Sequence, residues 1–106
     1  DILLVSDVGY LFLQAWDLIL GVHYEPSPKI SVAIGSWFHV EVLLQRAAAY
    51  SGRIAIYQDG IGIVDQPGLI TESNTRGQWY VGNYWANLNS PESTVYVDDV
   101  TATASR

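Results

Sequence analysis

The sequence predicts an all-β fold, an antiparallel sandwich or barrel, and three observations indicate this class. Short runs alternate between apolar and polar residues, as half-buried strands do. Residues that favour turns, chiefly Gly, Pro, Asn and Asp, separate these runs. The spacing of apolar residues that is typical of an amphipathic helix is nearly absent. We therefore expect one all-β domain over residues 1–106.

The alternating runs predict nine strands, which are, in chain order, Ile2–Val5, Tyr10–Trp16, Leu18–Tyr24, Ile30–Ile34, Phe38–Gln45, Arg53–Gln58, Gly62–Asp65, Gln78–Tyr84 and Thr94–Thr103. Between two apolar runs, Asp59-Gly60 predicts a type I′ hairpin, because this turn needs positive φ at both positions. A breaker, Gln66-Pro67-Gly68, is expected to end the strand before it. Over Val42–Tyr50 a short helix is the alternative, since Leu, Gln, Arg and Ala favour helices.

Composition excludes several classes of partner. The 106 residues include 5 basic and 11 acidic ones, a net charge of −6, and neither Cys nor Met. So few cations cannot neutralise a nucleic acid backbone, and an acidic chain is repelled by anionic membranes. The longest apolar stretch, Leu11–Val22, is too short to span a bilayer. Because the chain opens on Asp1 without a signal sequence, we expect a processed, extracellular protein.

Strand parity predicts one outer face that is rich in aromatic residues. In Phe38–Gln45 the even-numbered residues are predicted to face the core, which turns His39 and Glu41 outward. The same reasoning turns Tyr57 away from Ile54 and Ile56, and Tyr80 and Tyr84 away from the core. We interpret Trp37 and Trp79 as core residues. The predicted outer face therefore carries His39, Glu41, Tyr57, Tyr80 and Tyr84.

Four segments resemble the concanavalin A-like lectin/glucanase superfamily, in particular its polysaccharide-lyase-like and laminarinase-like members. They are Trp37-Phe38-His39-Val40-Glu41-Val42, Gly52 to Gly60, Gln78 to Tyr84 and Thr94 to Val100, so the resemblance spans residues 37–103. It implies a jelly roll of two stacked sheets, the concave one holding a glycan. Because the matching motifs lie in the C-terminal half of longer members, we expect a half-sized sandwich. A second copy or a missing N-terminal half would complete it and cover Tyr10–Val22.

The resemblance also suggests what the outer face does. Lyase-like members carry Tyr-x-Lys-x-Gly-x-Tyr, whose last two residues match Gly82 and Tyr84, whereas Tyr80 replaces the lysine and Gln78 the first tyrosine. Glu-x-Asp-x-x-Glu, the laminarinase-like motif, does not occur, which disfavours glycoside hydrolysis by the laminarinase-like mechanism. We expect a non-catalytic carbohydrate-binding module, whose charge favours a neutral glycan. Its predicted contacts are His39, Glu41, Tyr57, Gln78, Tyr80, Tyr84 and Trp85.

Two other functions stay open. In a polysaccharide lyase, or a fragment of one, Tyr84 would transfer the proton and His39 would act as the base or as a partner of the substrate carboxylate. Gln78 and Arg53 would then hold the substrate acid. The third alternative is a structural or interaction domain that has kept the fold alone.

A calcium ion is the one predicted cofactor. At Asp98-Asp99 the alternation of the last predicted strand shifts, which indicates a bulge. Carboxylates together with backbone carbonyls suit a hard cation such as Ca²⁺. The family resemblance also implies a structural calcium at such a position, so Asp98 and Asp99 are the predicted ligands.

Overall fold

A computed structural model of the chain describes residues 2–7, 10–17, 20–72 and 94–104. The chain divides into two compact units, Asp1–Thr75 and Arg76–Arg106. In the second unit, residues 94–104 form no strand or helix and are exposed. The predicted strand Thr94–Thr103 is therefore wrong over these residues. One domain over the whole chain stays a prediction.

The first unit contains two antiparallel sheets of three strands. Sheet A has the order β1-β2-β3 and sheet B the order β4-β5-β6. The strands are β1 (Ile2–Asp7), β2 (Tyr10–Asp17), β3 (Val22–Tyr24), β4 (Val40–Gln45), β5 (Gly52–Gln58) and β6 (Ile61–Leu69). No helix occurs in the described residues, so the all-β prediction is confirmed for them and the helix over Val42–Tyr50 is wrong. These two small sheets are not a complete jelly-roll sandwich.

The hairpin between β5 and β6 turns where the sequence predicts. Asp59 and Gly60 have φ angles of 49° and 81°, and they are the two residues between the paired Gln58 and Ile61. Two central residues with positive φ match a type I′ turn, whose twist suits the flanking strands. The predicted hairpin is confirmed.

The core lies where the two sheets meet. Leu13 and Ala15 of β2 pack with Ile56 of β5 and with Ile63 and Val64 of β6. Burying one large aliphatic side chain stabilises a fold by about 1.5–3 kcal/mol. Four partly buried residues extend this cluster, namely Tyr24, Ile30, Ile54 and Phe38.

The side chains on the other face of β2 are also buried, because later segments of the chain cover them. Phe12 and Gln14 are buried, and the ammonium of Lys29 lies 3.8 Å from the centroid of the Phe12 ring. The Gln14 amide donates to Glu25 and accepts from His23 Nδ1 at 2.7 Å, which satisfies a buried polar group. Residues 12–15, within the stretch expected to need a partner, are thus buried by the chain itself.

Strand β4 is the exposed edge of sheet B. Its six residues are all exposed, including Val42 at 48% and Leu44 at 54%. Parity predicts Val40, Val42 and Leu44 as core, and this prediction is wrong because the core side chains of β2 pack with β5 and β6. Assembly with a second copy or with a missing N-terminal half stays a prediction.

Candidate functional site

Sheet B brings three of the predicted contact residues together. The register of β4 and β5 sets Glu41 directly opposite Tyr57. His39 comes two residues before Glu41, and its Nε2 lies 3.4 Å from Glu41 Oε1, with 68% and 62% of the two side chains exposed. We call His39, Glu41 and Tyr57 the outer strip. It presents an imidazole and a carboxylate to solvent, and the half-buried Tyr57 adds an aromatic ring on the same face of the sheet.

The position of the Tyr57 ring depends on a glycine. Tyr57 pairs with Gly62 of β6, and a Cβ atom at Gly62 would lie 3.3 Å from Tyr57 Cε1 and 3.5 Å from Cδ1. The ring therefore lies against the backbone of Gly62, and the Tyr57 residue is half-buried. An alanine at position 62 would require the ring to shift by a few tenths of an ångström.

An ion pair lies on the same face as the outer strip. Arg53 donates from Nε and Nη2 to the two carboxylate oxygens of Asp65, both at 2.7 Å. These hydrogen bonds and the opposite charges raise the pKa of Arg53 and lower the pKa of Asp65. In the lyase alternative, Arg53 would hold the carboxylate of the substrate. In the structure this guanidinium already binds a carboxylate of its own chain.

We expect the Asp65 carboxyl to titrate below the ordinary pKa of an aspartate, and Arg53→Gln to bring its pKa back towards that value. The pair's contribution to stability is complete above the ordinary pKa of about 4 and is lost as the pH falls through the lower pKa of the folded state. NMR titration of the carboxyl carbons measures both pKa values. Arg46→Gln is the matched control, because it removes a guanidinium from a different ion pair, in which Arg46 Nη2 lies 2.9 Å from Glu72 Oε1. If the pKa of Asp65 is the same in the wild-type protein and in Arg53→Gln, the assignment of Arg53 as the cause of its low pKa is contradicted.

A cavity opens where the loop before β4 meets the end of β5. Its volume is about 120 Å³, and it is lined by Ile30, Ser31, Val32, Ala33, Ser36, Trp37, Phe38, Gln58 and Asp59. Gln58 is only 2% exposed, and its Oε1 has no hydrogen-bond partner. Trp37 is 73% exposed, so its interpretation as a core residue is wrong. The cavity is thus lined by an exposed indole, whereas the unsatisfied oxygen of Gln58 is closed to solvent.

One feature of the sequence points to this cavity, namely a polar residue, Gln58, at a position that strand parity assigns to the core. Gln58 occupies the same alternating set as Ile54 and Ile56, which is the set that faces the core. A polar residue at such a position needs a partner, and in native proteins an unpaired buried polar group calls for an explanation. Trp37 comes two residues after Gly35, which has a φ of 81° and lies in a turn before β4 begins.

Two hydrogen bonds join the cavity to the outer strip. Asp59 Oδ1 accepts from the backbone N–H of His39 at 2.8 Å. In return the backbone N–H of Asp59 donates to the His39 carbonyl at 2.9 Å. Asp59 lines the cavity and His39 belongs to the outer strip, so both features lie at the same end of sheet B, with Gln58 on the face opposite to the outer strip.

The remaining predicted site residues have different outcomes. Asp98 and Asp99 are exposed, the Asp99 N–H donates to Asp98 Oδ1 at 2.8 Å, and Asp99 has a φ of 50°. Among the described residues no group of three or more His, Asp or Glu side chains could hold a metal. Calcium at Asp98 and Asp99 stays a prediction. Four predicted contacts lie outside the described residues, namely Gln78, Tyr80, Tyr84 and Trp85.

Comparisons of the chain with protein-family models, with curated proteins and with solved structures find no match. The resemblance to the concanavalin A-like superfamily therefore stays a prediction. In the described ranges, no helix has the length and apolar character that crossing a membrane requires. The case for a function rests on the geometry of the outer strip.

Proposed function

We propose that this chain is a non-catalytic carbohydrate-binding module that holds a glycan on the outer face of sheet B. The observation that carries the proposal is the outer strip, in which the exposed His39 and Glu41 stand beside Tyr57. A carboxylate accepts from sugar hydroxyls, an imidazole donates or accepts, and an aromatic ring offers an apolar surface to the C–H groups of a sugar. Further strands would complete the sheets as a jelly-roll-type sandwich.

Charge supports a neutral glycan as the ligand. The chain carries a net charge of −6, which repels polyuronates and sulfated glycans at low salt. On the outer face, Arg53 is neutralised by Asp65 and Glu41 is an exposed anion. This face therefore suits hydroxyl-rich ligands better than anionic ones.

We expect Tyr57→Ala to weaken binding of a neutral glycan about two- to tenfold, because covering about 20–50 Å² of the ring with the C–H face of a sugar contributes about 0.5–1.3 kcal/mol at about 25 cal/mol per Å². The measurement is retention on a panel of insoluble neutral polysaccharides, followed by titration with soluble oligosaccharides of the retained one. Tyr50→Ala is the matched control, since Tyr50 is 75% exposed in the turn after β4 and lies outside the outer strip. Glu41→Gln, an exposed change, should weaken binding without affecting folding.

Two outcomes would contradict the module. Retention on no member of the panel would leave only a structural or interaction domain. A rising absorbance from unsaturated sugars in uronic-acid polysaccharides, abolished by Tyr84→Phe, would assign the lyase function instead.

A further inference from the structure

We propose that this chain forms a two-fold symmetric dimer in which β4 of one copy pairs antiparallel with β4 of a second copy. The pairing would join two three-stranded B sheets into one continuous sheet. Three observations support it, namely the difference between the two edges of sheet B, the direction of the backbone groups of β4 and the order of its side chains. The dimer does not depend on the proposed glycan binding.

The two edges of sheet B are built differently. At the β6 edge, Pro67 lacks an N–H, Gly68 has a φ of 75°, and the pairing with β5 shifts register at two places. Such features keep an edge from pairing with another strand. The β4 edge pairs with β5 in one register over all six residues, and its sequence, Val-Glu-Val-Leu-Leu-Gln, contains neither Pro, Gly nor Lys. The β4 edge is therefore the one that is open to a further strand.

The even-numbered residues of β4 direct their backbone groups to this open edge. The Asp59 N–H donates to the His39 carbonyl, so His39 turns its backbone groups towards β5. In an antiparallel pair every second residue does the same, and the residues between them point their N–H and C=O groups the other way. Because the register continues through β4, Val40, Val42 and Leu44 present their N–H and C=O groups to a further strand.

A register centred on Val42 uses all of these backbone groups. In this register Val42 lies opposite Val42 of the second copy, and Val40 lies opposite Leu44 of the second copy. The three pairs would exchange about six backbone hydrogen bonds. Apolar side chains that are exposed in the single chain would then cover one another, and such cross-strand pairs stabilise a sheet.

The two neighbouring registers fit less well. Centring the pair on residue 41 sets Glu41 opposite Glu41 of the second copy, and like charges that face each other destabilise a strand pair. Centring it on residue 43 sets Val40 opposite Arg46 of the second copy, which lies beyond the end of β4. The charges and the bounds of β4 thus select the register centred on Val42.

A second copy also gives a closed assembly. After β4 has paired with β4, the two remaining edges of the joined sheet are both β6, the edge that Pro67 and the register shifts protect. The assembly therefore stops at two copies, as two-fold dimers do. Each copy carries a net charge of −6, so the two copies repel each other at low salt and we expect added salt to strengthen the dimer.

The symmetry of the dimer has a consequence for the outer strip. Two identical strands that pair antiparallel have their two-fold axis perpendicular to the sheet, so both outer strips face the same side. A polysaccharide could contact both strips at once, and two linked contacts retain a ligand better than one. This consequence rests on the proposed function, whereas the dimer itself does not.

Sedimentation velocity of the full chain tests the dimer. A pair of short strands buries less area than a standard interface, so we expect weak association between about 10 µM and about 1 mM, with the mass rising towards twice that of the monomer. Val42→Lys should weaken it at least roughly tenfold, since two ammonium groups would meet at the axis. Val22→Lys is the matched control, because it makes the same change of charge at an exposed valine of β3. Equal melting temperatures of the two variants would show that both are folded.

Cysteine cross-linking tests the register. The chain contains no cysteine, so Val42→Cys introduces a single thiol. Its Cα atom would lie about 5.5 Å from its counterpart in the second copy, a distance that a disulfide spans. Leu44→Cys is the matched control, since four residues along the strands place its counterpart about 14 Å away. We expect mild oxidation to cross-link Val42→Cys at least roughly tenfold faster than Leu44→Cys.

Amide exchange separates a second copy from other occupants of the edge. As the protein concentration rises, exchange should slow at Val40, Val42 and Leu44, whose N–H groups point to the open edge. Exchange should stay the same at Glu41 and Leu43, whose N–H groups point towards β5. Slow exchange at the even-numbered residues in dilute, monomeric protein would show that the chain covers its own edge, and it would overturn the dimer.

The other outcomes are equally decisive. A monomer at every concentration, or equal association of Val42→Lys and Val22→Lys, would overturn the dimer. Equal cross-linking of Val42→Cys and Leu44→Cys would overturn the register. None of these measurements uses a glycan, so the dimer can fail while the carbohydrate-binding module stands, and the module can fail while the dimer stands.

Discussion

Ile56→Ala should lower the free energy of unfolding by about 2–5 kcal/mol, the range for truncating a buried aliphatic side chain. Ile56 is fully buried and lies in the cluster that joins β5 to Leu13, Ala15 and the two β6 residues. Small domains are stable by only about 5–15 kcal/mol, so this one change would remove a large part of the total. It would also loosen sheet A from sheet B.

Urea unfolding followed by tryptophan fluorescence measures the effect. Ile34→Ala removes the same atoms from a residue that is 90% exposed, so it should change the free energy of unfolding by less than about 0.5 kcal/mol. Equal unfolding midpoints for the two variants would show that the packing of β5 against β2 does not hold the sheets together.

Gly52→Ala should cost about 1–3 kcal/mol of stability, as overpacked sites do. A Cβ atom at position 52 would lie 2.5 Å from Thr71 Oγ1 and 2.6 Å from the Leu69 carbonyl oxygen. Neither neighbour moves freely. The oxygen of Leu69 is backbone at the end of β6, and the Thr71 hydroxyl accepts from Ala47 N–H at 2.8 Å and donates to the Gln45 carbonyl at 2.7 Å.

The expected damage is local as well as thermodynamic. Displacing Thr71 breaks the hydrogen bonds that tie the end of β6 to the segment after β4, so amide exchange should accelerate at Ala47 and Thr71. Ser51→Ala changes the exposed neighbouring residue and serves as the control. Equal unfolding midpoints for Gly52→Ala and Ser51→Ala would contradict the tight contact.

Local signals in the sequence predict the hairpins well. Asp59-Gly60 favours one turn type, and the alternation on both sides of it leads to β5 and β6. One turn signal fails, because Gln66-Pro67-Gly68 lies inside β6. Pro67 pairs with Arg53 on an edge strand, where a missing N–H is tolerated, and Gly68 has a φ of 75° at the register shift beside Gly52.

Alternation predicts the faces of a strand but not what covers them. Ile30–Ile34 alternates as a strand does, yet it forms none, and Val32 N–H donates to the Leu11 carbonyl at 2.6 Å from an irregular segment. In β4, alternation places Val42 on the same side as Ile56. Whether the other sheet reaches that side depends on contacts between residues distant in sequence, which a local pattern does not contain.

The candidate site, like the fold, is predictable from the sequence only in part. His39, Glu41 and Tyr57 follow from parity within one pair of strands, so the sequence predicts their common face. The cavity needs the loop at residues 30–38 to meet the end of β5, and no local pattern predicts that meeting. The sequence pattern therefore predicts Trp37 as a core residue, although it lines an open cavity.

The order of the strands has a consequence for how the chain folds. In both sheets every strand pairs with its neighbour in sequence, β1 with β2 and β2 with β3, then β4 with β5 and β5 with β6. Short connections cost little loop-closure entropy, and topologies dominated by such local pairing fold faster than those with distant pairings. We therefore expect the strand pairs within each meander to form before the two sheets associate around Leu13 and Ile56.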